Sequence, residues 1–375
     1  MKSSRNARKS IALLLAGAAL IGVLTSCQSE PEIPELEVIQ LSVELPTDGN
    51  PLPRGTFTPP AEPVWTEHGG YSREVNDEFV GWISVGEGRS NQVDYPVVQK
   101  TLASYLAEGI PLSHFYYLNR EFEPSKHHQH SDRGTIFVDR HTPIDGVQRP
   151  DNTVIYGHNM ARNRVKFNFL VNYRYEFLDT YREFPTVHFA TVYDEFDDPR
   201  NTYLIFAGML AHTRDVDGPV FDYHRRRIFN EYCCWGYDNA KDNFFDFIGN
   251  VMNRSSFYTD VDIEFGDEFI TLSTCDYPLG RDRVSSRFVL FARRLRPGES
   301  LDKFDFNAAY ENPDPLYFDR WYADSRTPQS EWGGMTWDTA LVRDFDEWLA
   351  NNPDWDPQVP NICNFACDAP NCPRP

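Results

Sequence analysis

Short apolar runs rich in β-branched and aromatic residues alternate along this chain with polar, turn-forming stretches, a pattern that predicts many short strands. Residues 82–85, 135–138, 153–156, 187–193, 203–207, 269–273 and 288–292 are such runs. Apolar residues recur at spacings of three and four within 167–175, 225–235 and 244–252, which predicts helices there. Asn76 is expected to cap a short helix through Glu78, Phe79 and Val80. Towards the C-terminus, residues 337–349 carry the pattern of an amphipathic helix. Many short strands with a few intervening helices predict a mostly β, α+β body or a mixed barrel. Gly-rich dinucleotide loops, phosphate loops and internal repeats are all missing from the sequence.

The pattern breaks down before residue 67. Lys2, Arg5, Arg8 and Lys9 lead into the mostly apolar residues 11–24, the arrangement of an export signal. A bilayer-spanning helix needs about 20 residues, more than that segment offers. Leu24-Thr25-Ser26-Cys27 resembles the bacterial lipoprotein processing site, which implies cleavage before Cys27 and lipidation of its thiol. The alternatives are an uncleaved anchor to about residue 26 or full secretion, and each places the body outside the cytoplasm. Residues 31–66 hold eight prolines and little apolar periodicity, so they read as a spacer. Extended, that spacer would reach on the order of 100 Å. The expected division is a lipoprotein-type signal at 1–26, a Pro-rich tether at 27–74, a body at 75–297 and an acidic extension at 298–375.

Charge narrows the partners. The formal net charge of -20 makes the chain poor at gripping phosphate backbones, so nucleic acid is not an expected partner. No local basic patch favours adhesion along an anionic membrane, which leaves the lipid on Cys27 as the expected attachment. An aromatic content of 14% suits a packed, strand-rich body.

One cysteine stands in a chemically suggestive setting. Cys275 ends Thr271-Leu272-Ser273-Thr274-Cys275 at the close of a strand-like run, and Arg287 follows twelve residues later. His158 sits after a second run, in Val154-Ile155-Tyr156-Gly157-His158-Asn159-Met160. A cysteine attacks as thiolate, a histidine exchanges protons near neutrality, and an arginine stays charged and holds developing negative charge. Together they divide the work of acyl transfer, with the Asp276 backbone N–H as a second candidate donor to the oxyanion. Taken singly, each has a plain structural alternative, and 117 residues separate His158 from Cys275. Arg281 and Arg283 lie closer to the cysteine, but in a turn-like stretch.

Several ordered motifs resemble the sortase family, and its class B branch in particular. Thr271-Leu-Ser-Thr-Cys275-Asp276 with Arg287 is similar to the active-site signature, and residues 152–160 are similar to the histidine segment. Phe79-Val-Gly-Trp-Ile83, Asp94-Tyr-Pro-Val-Val-Gln99, Tyr117-Leu118 and Gly134-Thr-Ile-Phe-Val-Asp139 follow the same branch in order, so the resemblance covers roughly residues 75–294. It implies a closed, mostly antiparallel eight-stranded β-barrel with peripheral helices, an N-terminal helical element and a helix before the cysteine strand. It also implies a cysteine transpeptidase. Cys275 would be the nucleophile, His158 the general acid/base, and Arg287 the oxyanion stabiliser together with the Asp276 N–H. Ser273 and Thr274 would line the substrate groove. The implied substrates are exported proteins with a C-terminal sorting motif, and the acceptor is an amine on peptidoglycan or on another protein. The implied location is the extracytoplasmic face of the bacterial cell membrane, and the chemistry calls for no metal or organic cofactor. A peptidase of the same fold that mainly hydrolyses, and an inactive wall-binding or assembly lipoprotein, are the alternatives.

Other features lie outside the resemblance. His127, His128 and His130 fall in a polar stretch with no ligands of fixed spacing, and are expected to be a solvated loop. The extension at 298–375 has fifteen acidic residues against five Lys or Arg and includes Tyr317-Phe318 and Trp321-Tyr322. Cys363, Cys367 and Cys372 are expected to pair among themselves or with Cys233 or Cys234. The extension is expected to guard a groove, to recognise wall material or to cover an apolar face.

Overall fold

In the computed structural model, the described residues are 61–111, 113, 115–123, 131–140, 142, 144–147, 149–224, 240–324 and 334–358. Cys27, the three histidines at 127, 128 and 130, the helix expected at 225–235, and every cysteine other than Cys275 lie outside them. Eight strands close into a barrel: β1 (Phe79–Val85), β2 (Val93–Val98), β3 (Ile136–Val138), β4 (Asn152–Tyr156), β5 (Thr186–Thr191), β6 (Thr202–His212), β7 (Phe269–Cys275) and β8 (Ser286–Arg294). Around the barrel they run β6-β8-β7-β4-β3-β2-β1-β5. Only the β7–β4 and β2–β3 pairs are parallel. Closure leaves no open sheet edge, and the expected mostly antiparallel eight-stranded barrel is the observed fold.

Two-residue alternation builds the walls. Ile205, Leu290, Ile270 and Leu272 turn into the barrel with Ile83, Ile136, Ile155 and Phe189. Their neighbours Leu204, Phe206, Val289 and Phe291 turn outward, where they would meet water if nothing covered them. The cover is the helix Ala240–Arg254, whose Phe244, Phe247, Ile248 and Val251 fall on one face at three- and four-residue spacings. Trp337, Phe345 and Trp348 of the C-terminal extension pack into the same cluster. Arg293 emerges at the far end of β8 with no exposed surface and is satisfied by Asp262 and Glu299, as a buried cation requires.

Some local expectations are corrected. Asn76 caps a turn and not a helix: its Oδ1 accepts from the Glu78 N–H at 3.0 Å, and the chain enters β1 at Phe79. The β1 backbone is claimed on both sides by β2 and β5, so pairing outweighs the local capping signal. Among the described residues before β1 there is a hairpin, Glu67–His68 with Tyr71–Ser72, where the resemblance implied a helical element. The helix expected at 167–175 is a 3-10 turn (Phe167–Val171) running into a single α-turn (Asn172–Tyr175), with a short helix (Phe177–Glu183) following. The pattern at 337–349 resolves into a 3-10 turn (Thr339–Leu341) and a helix, Phe345–Asn351, separated at Asp344, which has φ 68°. No helix among the described residues is long and apolar enough to cross a membrane.

Candidate active site

Register brings together residues that the sequence keeps far apart. β4 and β7 run parallel with Ser273 level with Tyr156, the last residue of β4, and His158, two residues beyond that strand, comes within electrostatic reach of Cys275 at the end of β7. β8 returns antiparallel beside β7, and Arg287 is the direct cross-strand partner of Cys275. The three candidate residues therefore occupy three neighbouring chains at one end of the barrel. Arg281 and Arg283 are exposed on the β7–β8 loop.

Cys275 is buried, 8% exposed, and its main chain is pinned by Asn159, whose Nδ2 donates to the Cys275 carbonyl at 2.9 Å. Asn159 is held in turn by Asn168, whose Nδ2 donates to Asn159 Oδ1 at 2.8 Å. Neither asparagine stood out in the sequence. The Asn159 position next to His158 was visible, but its partner becomes clear only once the strands align.

His158 is held at both ends. Its carbonyl accepts from the Phe167 N–H at 2.9 Å, and its Nε2 donates to the Leu118 carbonyl at 2.7 Å. A carbonyl only accepts, so the proton of the neutral ring sits on Nε2 and Nδ1 remains for proton exchange. Burial lowers the pKa of His158 below its ordinary value; the nearby Cys275 works against this, and Lys166 and Arg287 add to it.

The Leu118 carbonyl is itself positioned by a buried network. Tyr117 hydrogen-bonds Glu78 and accepts from Asn76 Nδ2 at 3.2 Å, and Lys100 Nζ pairs with Glu78 at 2.7 Å. Gly134 then passes directly over this carbonyl with φ 57°, and a Cβ built there would lie 2.1 Å from Leu118 O. Gly134→Ala must displace either the carbonyl or the β3 approach, and an ångström of misplacement costs up to about 100-fold in rate. We expect a loss of at least about tenfold in kcat/KM, together with a lowered melting temperature from the left-handed backbone. Steady-state kinetics and thermal melting measure the two effects.

The Asp276 carboxylate, on the residue next to the thiol, has partners of its own. Tyr175 donates to it at 2.9 Å and Arg174 pairs with it at 3.3 Å. Burial raises its pKa, opposed by Arg174 and by the Tyr175 hydrogen bond. The Asp276 N–H donates to the Ser286 carbonyl across the β7–β8 turn, in a long bond of 3.3 Å. It can serve an oxyanion only by sharing or releasing that partner. Ser273 and Thr274, expected to line a groove, are buried instead. Thr274 Oγ1 donates to the Gly157 carbonyl at 2.8 Å, and Ser273 Oγ shares a hydrogen bond of 3.1 Å with Tyr223 OH. Both side chains tie the site's walls together. Tyr223, which the sequence reading missed, also lies within electrostatic reach of Arg287 and Cys275. Among the described residues no group of three or more His, Cys, Asp or Glu is arranged to hold a metal ion.

Burial also lowers the pKa of His188 and His212. For these two and for His158 the unfolded chain binds protons more readily, so their stabilisation is whole above about pH 6.5. It is lost as pH falls from there through the depressed folded-state values. Melting followed by circular dichroism is expected to show a clear drop in Tm between pH 7.5 and 5.5, ahead of carboxylate titration. A flat Tm over that interval would contradict burial of the neutral rings.

No protein-family model matches the chain. It is similar to sortase B of Staphylococcus aureus (strain NCTC 8325 / PS 47), 24% identical over 224 residues that make up 60% of this chain and 72% of that protein. It is also similar to sortase B of Listeria monocytogenes serovar 1/2a (strain ATCC BAA-679 / EGD-e), 24% identical over 221 residues, 58% of this chain and 72% of the other. Among solved structures, sortase B of Clostridium perfringens shares 24% identity, with 60% of this chain and 97% of that one covered at a TM-score of 0.42.

Proposed function

We propose that the chain is a cysteine transpeptidase of the sortase B type, a reading supported by its similarity to two sortase B proteins, and that it carries out a specific reaction. The enzyme cleaves a C-terminal sorting motif of an exported protein and transfers the acyl part to an amine on peptidoglycan or on another protein. The observation that supports it best is the pairing that sets Arg287 opposite Cys275, with His158 within electrostatic reach of the same thiol just beyond β4.

In the first half-reaction His158 Nδ1 takes the Cys275 thiol proton, the sulfur as thiolate attacks the scissile carbonyl carbon, and the carbonyl oxygen gains negative charge. Arg287 stabilises that charge, and the Asp276 N–H adds a second donor where it leaves the Ser286 carbonyl. The C–N bond then breaks, His158 gives its proton to the departing amine, and the thioester remains. In the second half-reaction an incoming amine attacks the thioester, His158 takes its proton, and sulfur leaves as thiolate. No proton or electron is left over. Ser273 and Thr274 act in this scheme as wall ties more than as groove lining. Lipidation at Cys27 would keep the body on the extracytoplasmic face of the bacterial membrane.

Incubating the purified chain with a peptide library and added amines, with products read by mass spectrometry, tests the proposal. Amine-linked product in excess of hydrolysed peptide is the expected result. Hydrolysis alone at high amine concentration would favour the peptidase reading. The absence of both products, with no acyl adduct on Cys275, would favour an inactive wall-binding or assembly lipoprotein.

A further inference from the structure

The stretch 316–322 belongs to the C-terminal extension, beyond the part of the chain that resembles the family, yet it packs directly against the loop between Cys275 and Arg287. Phe318 is buried in a small apolar cluster with Leu210 of β6 and Val284 of the β7–β8 loop, and Leu279, Tyr317 and Trp321 pack around it. Leu279 and Val284 are the two apolar residues that this loop turns inward. Tyr317 and Trp321 stack on each other, ring centroids 4.5 Å apart and planes 22° apart. The Arg174 guanidinium lies over the Trp321 ring at 5.8 Å and over the Tyr175 ring at 4.6 Å. The same Arg174 pairs with Asp276, the residue next to the thiol.

Two routes thus lead from the extension to the site. One is apolar and restrains loop 276–285; the other passes through Arg174 to the Asp276 carboxylate. We propose that Tyr317, Phe318 and Trp321 are positioning residues for acyl transfer, holding the loop that joins Cys275 to Arg287 and holding Arg174 against Asp276. This rests on the transpeptidase reading of the site. A mere cover over an apolar face would bury Phe318 but would not require the Trp321–Arg174–Asp276 sequence of contacts.

The chemical consequence is specific. The charged and titratable groups around Cys275 are His158 after β4 and Tyr223 from the loop after β6, both electrostatically coupled to it, with Arg287 opposite it on β8 and Asp276 next to it in the chain. Asp276 is met by Arg174 and Tyr175. If Arg174 loses its aromatic support it leaves the carboxylate less compensated, and an uncompensated negative charge beside a thiol disfavours the thiolate.

The test measures the pH dependence of Cys275 alkylation by iodoacetamide, alongside kcat and KM, in the full chain at a temperature where each variant remains folded by circular dichroism. Trp321→Ala is expected to move the alkylation profile alkaline by about one unit and to lower kcat more than it raises KM. Trp321 Nε1 makes no hydrogen bond, so Trp321→Phe keeps the stacking face and should behave nearly as the parent. Adding Asp276→Asn to the Trp321→Ala chain should return the profile towards its original position, because the offending charge is gone. If Trp321→Ala and Tyr317→Ala lower only the melting temperature, leaving the alkylation profile, kcat and KM unchanged, the extension is simply a cover and the proposal fails. Full activity of Cys275→Ala would overturn the transpeptidase reading instead; the shift in alkylation profile between the parent and Trp321→Ala would still judge the positioning role separately.

Discussion

Cys275→Ala is expected to abolish both transfer and hydrolysis, a loss of at least about 10⁴-fold in turnover, because no other group can carry the acyl chain. Cys275 is the only cysteine among the described residues, and its main chain is fixed by Asn159. Cys275→Ser is a sharper case. It preserves the size of the nucleophile nearly unchanged, but an alcohol loses its proton far less readily than a thiol. The general base assigned here, His158, is an imidazole whose pKa burial has lowered, and it is poorly suited to removing that proton. Serine should therefore be almost as inactive as alanine. Intact-protein mass spectrometry after mixing with peptide reads the outcome: the parent gains the acyl mass and neither variant does. An active serine variant would mean that the base is stronger than its burial implies.

Arg287→Ala is expected to lower kcat by about 10²–10³-fold with a smaller change in KM, the pattern of an interaction formed mainly in the transition state. Arg287 faces Cys275 across the β7–β8 ladder, and its Nη1 donates to the Ser286 carbonyl at 3.1 Å, which orients the guanidinium plane. Lysine keeps the charge but not the planar fork, so Arg287→Lys should recover only a small part of the loss. The neighbouring Arg281 and Arg283 are controls. Arg281 lies over the Tyr277 ring at 5.2 Å, and the Arg283 carbonyl accepts from Arg214 at 2.7 Å. Alanine at either should change kcat by less than about threefold, as for an exposed loop residue away from the reacting atoms. Stopped or steady-state kinetics on one peptide substrate separates these three arginines.

Much of the barrel was legible because a strand's apolar residues report their own environment. Seven predicted runs each lie within or largely overlap a barrel strand, and β2 was legible only as a family-like motif at 94–99. Boundaries were less accurate. β6 runs on to His212, well past the apolar stretch at 203–207, because β8 pairs with it along that whole length. Asn76 shows the opposite error, a correct capping residue whose helix is displaced by pairing on both sides of β1. At the site, Cys275, His158 and Arg287 were nameable from motif resemblance. Asn159, Tyr175, Arg174 and Tyr223 were not, since each acts through a partner distant in the chain.

By itself, the sequence determined the chemistry available to this protein: a thiol and an imidazole after strand-forming runs, a guanidinium at the start of another, and an acidic aromatic extension behind them. Local residue type and two-residue periodicity suffice for that much, because both are properties of neighbouring residues. Tertiary structure decided which of those groups meet. Parallel pairing of β4 with β7 closed the 117-residue gap between His158 and Cys275, and antiparallel return through β8 set Arg287 opposite the thiol. The Leu118 carbonyl that orients His158, and the Trp321 ring that supports Arg174, became part of the site for the same reason. Register and packing are relations between distant segments, and neither is written in the residues on one side alone.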